Sequence, residues 1–496
     1  MSIRAGQILH AANRRGYVID RIQTGGPGDL NIPTEKINEL GNFRSVATVR
    51  DVPDLSFNLD MLNVGTEVEE ILTDKVGTWG PFEFDVTIPM DIISPWKTSQ
   101  GDYSVVNGVV IPGLYLESVS YAFGLEDNAG QTFTLVGDAI FYTPGTPALM
   151  EAEGDGAETD FAFEDDLAGT GTPVPVTALL YVEQGINQYA LNVSVDGERM
   201  TPDSGGVGTP NGDGDYTQDS AGVYFSEAPA LGASIRIAFA HSSESTWDQD
   251  VHEGVAVKPG AIRGKDINVF INGGRWTDVQ SVAVDWSVTL EEDMEFGNPR
   301  AVARDFTDVP EVTGNIVIKP RSVASLFAKL REVAGITASD QVIGPQSSVA
   351  VPLEIRLQNP GSGGSEADPD GAVLKTLYVP DARFTLPGYE GAVETKMENT
   401  LNFESDEGVL QVFKGNGGSL TPATGLEAGG ETITITGFGF TGATGVSFGG
   451  TAATSFTVVD DNTIEAVAPA GTGTVSVSVT RADGSIFNAG EYVYTA

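Results

Sequence analysis

The chain has 496 residues, 40% of them apolar, with 69 acids against 27 bases, a net charge of −42 and no cysteine. That length suits three or four domains, and that apolar share builds real cores, which excludes a disordered polymer. The acidic excess excludes a general nucleic-acid-binding surface, which needs basic patches, and the missing cysteine excludes disulfides, thiol catalysis and cysteine-held metal.

Glycine is abundant, at 61 residues, and Val, Thr, Phe and Tyr recur in alternation, the profile of an all-β chain with many turns. The spacing predicts a short strand over 17–23. Residues 44–50 and 55–62 alternate apolar and polar, which predicts two strands around the turn Asp51-Val52-Pro53. The run EVEEILTDKV at 67–76 predicts a short helix with Thr66 as N-cap. Further strands are predicted over 83–89, 109–123 and 131–142. Residues 1–147 thus read as one helix on a β-sheet.

Residues 148–243 differ in character, with 16 acids and 2 bases. Strands predicted over 159–163, 191–195, 222–225 and 234–240 suggest a small acidic β-sandwich, read as an outward-facing insert. This part resembles small β-sandwich modules spliced into phage tail proteins.

Residues 244–417 repeat the first unit. ELGNFRSVATVRDVPDLSFNLDM at 39–61 returns as EFGNPRAVARDFTDVPEVTGNIVI at 295–318. Gly41, Asn42 and Arg44 match Gly297, Asn298 and Arg300; Asp51 and Pro53 match Asp308 and Pro310 after a one-residue slip. Further on, Pro112, Tyr121 and Asp138 match Pro380, Tyr389 and Asp406 at a constant offset of 268. A repeat this long is a duplicated domain rather than a solenoid unit. Residues 279–290 predict a long strand, and 302–306 and 312–318 the repeated pair. Residues 321–333 predict a helix with Val323, Leu326, Phe327 and Leu330 on one face. Val68, Ile71 and Leu72 mark that face in the first copy. The Gly/Ser/Asp-rich stretch 359–371 reads as an exposed loop.

Residues 415–418 read as a Gly-rich linker to a separate unit over 418–496. Its strands alternate with closely and evenly spaced Gly turns, the rhythm of a small β-sandwich. Gly429-Gly430, Thr436-Gly437, Gly439-Phe440, Phe448-Gly449-Gly450, Pro469-Ala470-Gly471 and Gly473-Thr474-Val475 closely resemble an IPT/TIG immunoglobulin-like domain. That resemblance implies a spacer, adhesive or decorative module rather than catalysis.

Catalytic and metal motifs find little. His10, His241 and His252 lack ligand spacing. Asn211-Gly212-Asp213-Gly214-Asp215 mimics the start of a calcium loop, but Tyr216 replaces the required Gly and no Glu closes it. The pairs Asp165-Asp166, Asp460-Asp461 and Glu291-Glu292 suit chance in so acidic a chain better than a glycosidase. No catalytic motif or cofactor fingerprint is present. The polar, basic start lacks the apolar core of a secretory signal, and no run of about 18 apolar residues predicts a membrane span. The diffuse negative charge repels itself unless salt screens it, which suits a halophile; an ordinary acidic protein is the alternative.

The two copies resemble the tube domain of major tail proteins of long-tailed viruses. The residues that carry this are 39–53 and 291–310 with the helices at Glu67 and Arg321. The resemblance is closest to members with two fused tube domains, and many members carry a C-terminal immunoglobulin-like domain. It implies trimeric, pseudo-hexameric rings stacked as a virion tail tube, made in the host cytoplasm. It implies a tape measure protein inside, terminator and baseplate proteins at the ends, and double-stranded DNA passing without specific binding. No cofactor, metal or enzyme activity is expected. A cell-surface or S-layer-like adhesive protein is the rival reading, and a carbohydrate-active enzyme the third.

Overall fold

The computed structural model describes residues 9–12, 15–18, 22–27, 34–37, 47–50, 53–62, 68–73, 77–92, 103–143, 146–163, 181–183, 186–203, 214–241, 245–247, 262–295, 300–334, 349–358, 373–385, 398–415, 417–482, 484 and 486–495. Its first unit runs β1 (Leu9–Ala12), β2 (Arg15–Val18), β3 (Ile22–Pro27), β4 (Thr34–Ile37), β5 (Ala47–Arg50), β6 (Leu55–Leu62), α1 (Glu69–Leu72), β7 (Phe84–Ile92), β8 (Tyr103–Gly124), β9 (Gly130–Gly137) and β10 (Phe141–Thr143). An inserted part follows with β11 (Thr146–Glu153), β12 (Asp160–Ala162), β13 (Tyr181–Glu183), β14 (Ile186–Gln188), β15 (Ala190–Val195), β16 (Glu198–Arg199), β17 (Tyr216–Gln218), β18 (Gly222–Phe225) and β19 (Ser234–His241), after which β20 (Ser245–Trp247) returns to pair with β8. The second unit has β21 (Ile267–Ile271), β22 (Gly274–Trp276), β23 (Val279–Ser287), β24 (Leu290–Asp293), β25 (Ala303–Phe306), β26 (Glu311–Ile318), α2 (Val323–Val333), β27 (Ala350–Gln358), β28 (Val373–Phe384), β29 (Asn399–Ser405) and β30 (Gln411–Lys414). Nine strands, β31 to β39, lie between Ser419 and Thr495.

The strand pairings of the first unit recur in the second. β3 pairs with β6 as β23 does with β26, and both pairs carry a bulge at the matching place, between Ile22/Thr24 and Val279/Ser281. In β6–β9, Phe57 faces Leu135; at the equivalent place in β26–β29, Gly314 faces Phe403. β8 pairs with β9 as β28 does with β29: Leu116 faces Leu135, and the equivalent Phe384 faces Phe403. The hairpins β1–β2 and β4–β5 return as β21–β22 and β24–β25. The β7–β8 pair returns as β27–β28 with its bulge. Pro112 and Pro380 sit in those bulges, where the missing proline N–H costs no ladder bond. The single pair Leu9 with Thr87 departs, being two residues out of register with β21–β27.

Alternation makes these sheets amphipathic. In β6, Leu55, Phe57, Leu59 and Met61 are buried while Ser56, Asn58 and Asp60 are not. Antiparallel pairing gives the order β3–β6–β9–β8–β23–β26–β29–β28, so one sheet runs through both units. Its joint is β8–β23, where Ser118 faces Ser287 and Gly124 faces Ser281. A single apolar core lies behind this sheet and includes Phe57, Phe133, Trp286, Ile316, Leu353 and Phe403. The other halves of β8 and β28 turn into second sheets with β7 and β27 that close this core.

The two extra domains sit on the far side of those second sheets, at equivalent positions. Val110 of β8 packs on Leu149, Leu191 and Ala238 of the insert. Tyr378, its equivalent in β28, packs with Phe413 into the core of the C-terminal domain. The insert is a sandwich of β11-β19-β15-β16 against β12-β18-β17. It begins at Thr146, two residues before the expected boundary, because β11 pairs along all of β19.

Several expectations need correction. Residues 17–23 hold parts of two strands, 131–142 parts of two, and 279–290 parts of two. The first helix is a single turn capped by Val68, without a side-chain cap; Thr66, Glu67 and 74–76 lie outside the described residues. In α2, Ser322 caps the start, accepting from the Ser325 N–H, but Phe327 is 47% exposed. The inward stripe is Leu326, Lys329, Leu330 and Val333. Lys329 belongs there because its stem packs and its ammonium caps the Thr277 carbonyl beside the Trp276 ring. Of the expected linker, Gly417 and Gly418 are packed rather than loose, since they let Phe413, Phe438 and Ala489 approach where a Cβ would collide. The stretch 359–371 lies outside the described residues.

Candidate functional surface

The face of the shared sheet that turns away from the core is open and polar. Its cross-strand rows can be followed through both units. One row reads Asp60, Thr132, Ser120, Asp285, Thr313 and Glu404; the next reads Asn58, Thr134, Ser118, Ser287 and Glu311. None of these side chains is buried, and these six strands put no lysine, arginine or aromatic ring into the rows; on the last strand, β28, Arg383 faces Glu404 and adds one base to the first row. The rows are tied sideways: the Thr132 hydroxyl donates to Asp60 at 2.7 Å, Thr134 to Asn58 at 3.2 Å, and Ser120 to Asp285. An antiparallel sheet can leave one face in water, and short hydroxyl and amide side chains keep this one flat and hydrated. Four acids against one base, Arg383, along the two rows make it a weakly anionic strip.

Buried charges fix the joint that makes the strip continuous. Lys375 of β28 and Glu69 of α1 are each 1% exposed and form an ion pair. Lys375 also donates to Gln131 at 2.9 Å, and the Tyr121 hydroxyl donates to Glu69 at 3.1 Å. Burial, and then the Glu69 carboxylate, push the Tyr121 hydroxyl well above its usual range. Arg300 of the second unit donates to Asp138 of the first at 3.2 Å and to Asn192 of the insert at 2.7 Å. The Ala301 N–H adds 3.1 Å to the same carboxylate.

Glu83 stands where the insert meets the first unit. It accepts from the Ser194 hydroxyl and lies beside Asp85 and Arg236. Desolvation, then repulsion from Asp85, raise its carboxyl from 4.5 to about 7 against the pull of Arg236. Arg236 also pairs with Asp85 at 3.2 Å and Glu151 at 2.9 Å. These contacts dock the insert; they offer no catalytic geometry.

Of the repeated residues, Pro53 and Pro310 stand just ahead of β6 and β26, at equivalent places. Tyr121 and Asp138 are buried at the joint with Arg300, while Asp308 and Asp406 are exposed. Gly41, Asn42, Arg44, Asp51, Gly297, Asn298 and Tyr389 lie outside the described residues. Asn211, Gly212, Asp213, Asp165, Asp166 and His252 lie there too, while His10 stands in β1 opposite Tyr17. Asp215 is bound by the Thr201 N–H and hydroxyl, and Asp461 caps the Gly439 and Thr441 N–H groups. Glu292 pairs with Arg304 at 2.8 Å. Among the described residues no cluster of His, Asp and Glu has the form of a metal site, and no helix is long and apolar enough to cross a membrane. Sequence reading missed Glu69, Lys375, Glu83 and Arg236. Their only signal is a charge inside an apolar run, as in VLKTLYV.

The IPT/TIG domain family matches residues 418–494, and the chain carries this immunoglobulin-like domain at its C-terminal end. Among solved structures, the plexin A4 full extracellular region, domains 1 to 8, matches at 11% identity and a TM-score of 0.16. The match covers 80% of this chain and 47% of that one. At that score the likeness carries no argument about fold or function, and this chain spans less than half of that structure. None of the curated proteins matches.

Proposed function

We propose that the chain is a structural virion protein whose copies close into trimeric, pseudo-hexameric rings that stack as a tail tube for double-stranded DNA. The observation that carries this reading is the β8–β23 joint. It adds β23, the edge strand of the second unit's half of the sheet, to β8, the facing edge strand of the first unit's half. The same addition between chains would continue the sheet head to tail, and head-to-tail contacts close into rings. Among the described residues β3 pairs only with β6, so its outer edge is available for that addition.

Size supports three copies. Eight strands closed on themselves make a barrel that side chains fill, whereas the polar face here is open. Three chains bring roughly 24 strands; at about 4.8 Å spacing and about 40° tilt they close at roughly 48 Å across. That leaves room inside the side chains for a double helix. The acidic rows would then line the bore and repel phosphate, so DNA slides without sticking. The insert and the IPT/TIG domain would decorate the outside, because both dock behind the core from that face. A tape measure protein in the bore and terminator and baseplate proteins at the ends are the partners this role requires. The IPT/TIG domain also suits a cell-surface adhesive protein, the second reading.

Negative-stain imaging of purified protein, in high and low salt and with neighbouring tail proteins supplied, tests the proposal. Hollow rings or tubes are expected; dispersed single chains under all conditions would reject it.

A further inference from the structure

We propose that the seam between the second unit and the IPT/TIG domain is a binding site for one neutral sugar unit, with Arg481 as its principal donor. The inference goes beyond the tube reading and does not depend on ring closure.

The seam encloses a cavity of about 420 Å³, a size that takes a small ligand. Its floor is the far side of the sheet formed by β21, β27 and β28, where Phe270 faces Glu354 and Glu354 faces Tyr378. The IPT/TIG domain supplies the opposite wall with Gly439, Asp461 and Arg481. The inner end is sealed, with Glu354 and Tyr378 each 5% and Arg481 6% exposed. Asn272, Thr441 and Ala482 are exposed at the mouth. Gly439 keeps the space open: its φ is +68°, and a Cβ there would stand 3.2 Å from Arg481 Nε and 3.3 Å from the Tyr378 hydroxyl. At the matching seam of the first unit, Val110, the equivalent of Tyr378, is sealed against Leu149, Leu191 and Ala238 of the insert. The two seams dock a domain in the same place, and this one leaves room.

Arg481 is held in position by the protein alone. Its guanidinium carbon lies 4.4 Å from the Phe438 ring centroid and 4.9 Å from that of Phe487. Nε donates to the Phe438 carbonyl at 3.2 Å and Nη1 to Glu354 at 3.2 Å. Nη2, also buried, finds no acceptor among the described residues. A buried charged N–H without an acceptor is costly, so a ligand oxygen at this point is favoured.

The acids of the cavity ask for the opposite. One oxygen of Glu354 accepts from Arg356 and the other from Arg481, while Asp461 accepts from the Gly439 N–H at 3.1 Å and the Thr441 N–H at 3.0 Å. A carboxylate oxygen with one such bond keeps a lone pair for a further donor. Two acids against one base line the cavity, which disfavours an anion. The occupant that meets both needs is neutral and carries groups that accept and donate side by side. The vicinal hydroxyls of a pyranose do this, and its C–H face suits the apolar wall of Phe270, Pro352 and Ala482.

Ligand-observed NMR titration of the full-length chain tests the proposal. The probes are glucose, galactose, mannose and N-acetylglucosamine, with glucuronate, cyclohexanol and glycylglycine beside them. At least one neutral sugar is expected to bind more tightly than the last three. Arg481→Met should weaken that binding about tenfold or more. Because Arg481 also ties the domain to Glu354, a second variant reads the site without touching that tie: Thr441→Leu with Ala482→Leu crowds the exposed mouth with apolar bulk. It should abolish binding with circular dichroism unchanged. No sugar binding to the unaltered chain, binding undiminished in the crowded variant, or a preference for glucuronate, cyclohexanol or glycylglycine would overturn the proposal.

Discussion

Asp138 and Asp406 occupy the same place in two units of the same topology, yet one is sealed and the other faces solvent. The same contrast runs through the joint. Glu69 is buried against Lys375, while its equivalent in the second unit is Leu326, an apolar contact of α2. The two units share a fold and differ in what leans on them. Burial at these positions is therefore set by assembly of the units rather than by local sequence, and each prediction probes that difference.

The largest effect belongs to Trp286, whose ring lies 5.8 Å from Trp79 of the first unit and 5.9 Å from Phe306. Trp286→Ala should cost about 3–5 kcal/mol. Because the core is shared, denaturant titration should still show one transition for both units; a split transition would separate them. Lys375→Met should cost a similar amount, about 3–5 kcal/mol, by stranding buried Glu69. Adding Glu69→Leu, the residue found at the matching place of the second unit, should recover most of it. A double variant no better than the single would show that the pair is not the cause.

The docked insert supplies a pH test. The Glu83 carboxyl titrates near 7 in the fold against 4.5 ordinarily. A raised carboxyl favours the protonated fold, so its contribution is complete below pH 4.5 and is lost as pH rises to about 7. The loss amounts to roughly 3 kcal/mol. Glu83→Gln should remove that fall, read as the difference between the two stability–pH curves; parallel curves would contradict the assignment. Smaller still, Asp138→Asn should cost about 1.5–3 kcal/mol by weakening a buried charged hydrogen bond. Asp406→Asn should leave the denaturation midpoint of the single chain unmoved. Equal effects at the two positions would erase the comparison.

Much of this was legible in the chain. Alternation gave β6 and β9 their faces, and the one-residue slip between Arg300 and Pro310 returns as a one-step change of offset between the β24–β25 hairpin and β26. The Gly pattern of 429–475 marked the IPT/TIG domain. Other features depend on partners far along the chain. Lys375 and Glu69 are 306 residues apart, so no local period announces them. β8 runs 22 residues because it serves two sheets and joins two units, and its bulges hide that length from a two-residue period. Phe327 looked inward on helical spacing, and Lys329 took its place because Trp276 and the Thr277 carbonyl were there to receive it. The polar rows needed the register of six strands before they became one surface.

The most direct measurement is a cryo-electron microscopy reconstruction of the assembled protein. The account predicts a threefold ring, with Ser120, Thr132 and Asp285 lining the bore and the insert and IPT/TIG domain outside. A ring with those residues on its outer wall, or buried against another chain, would contradict it.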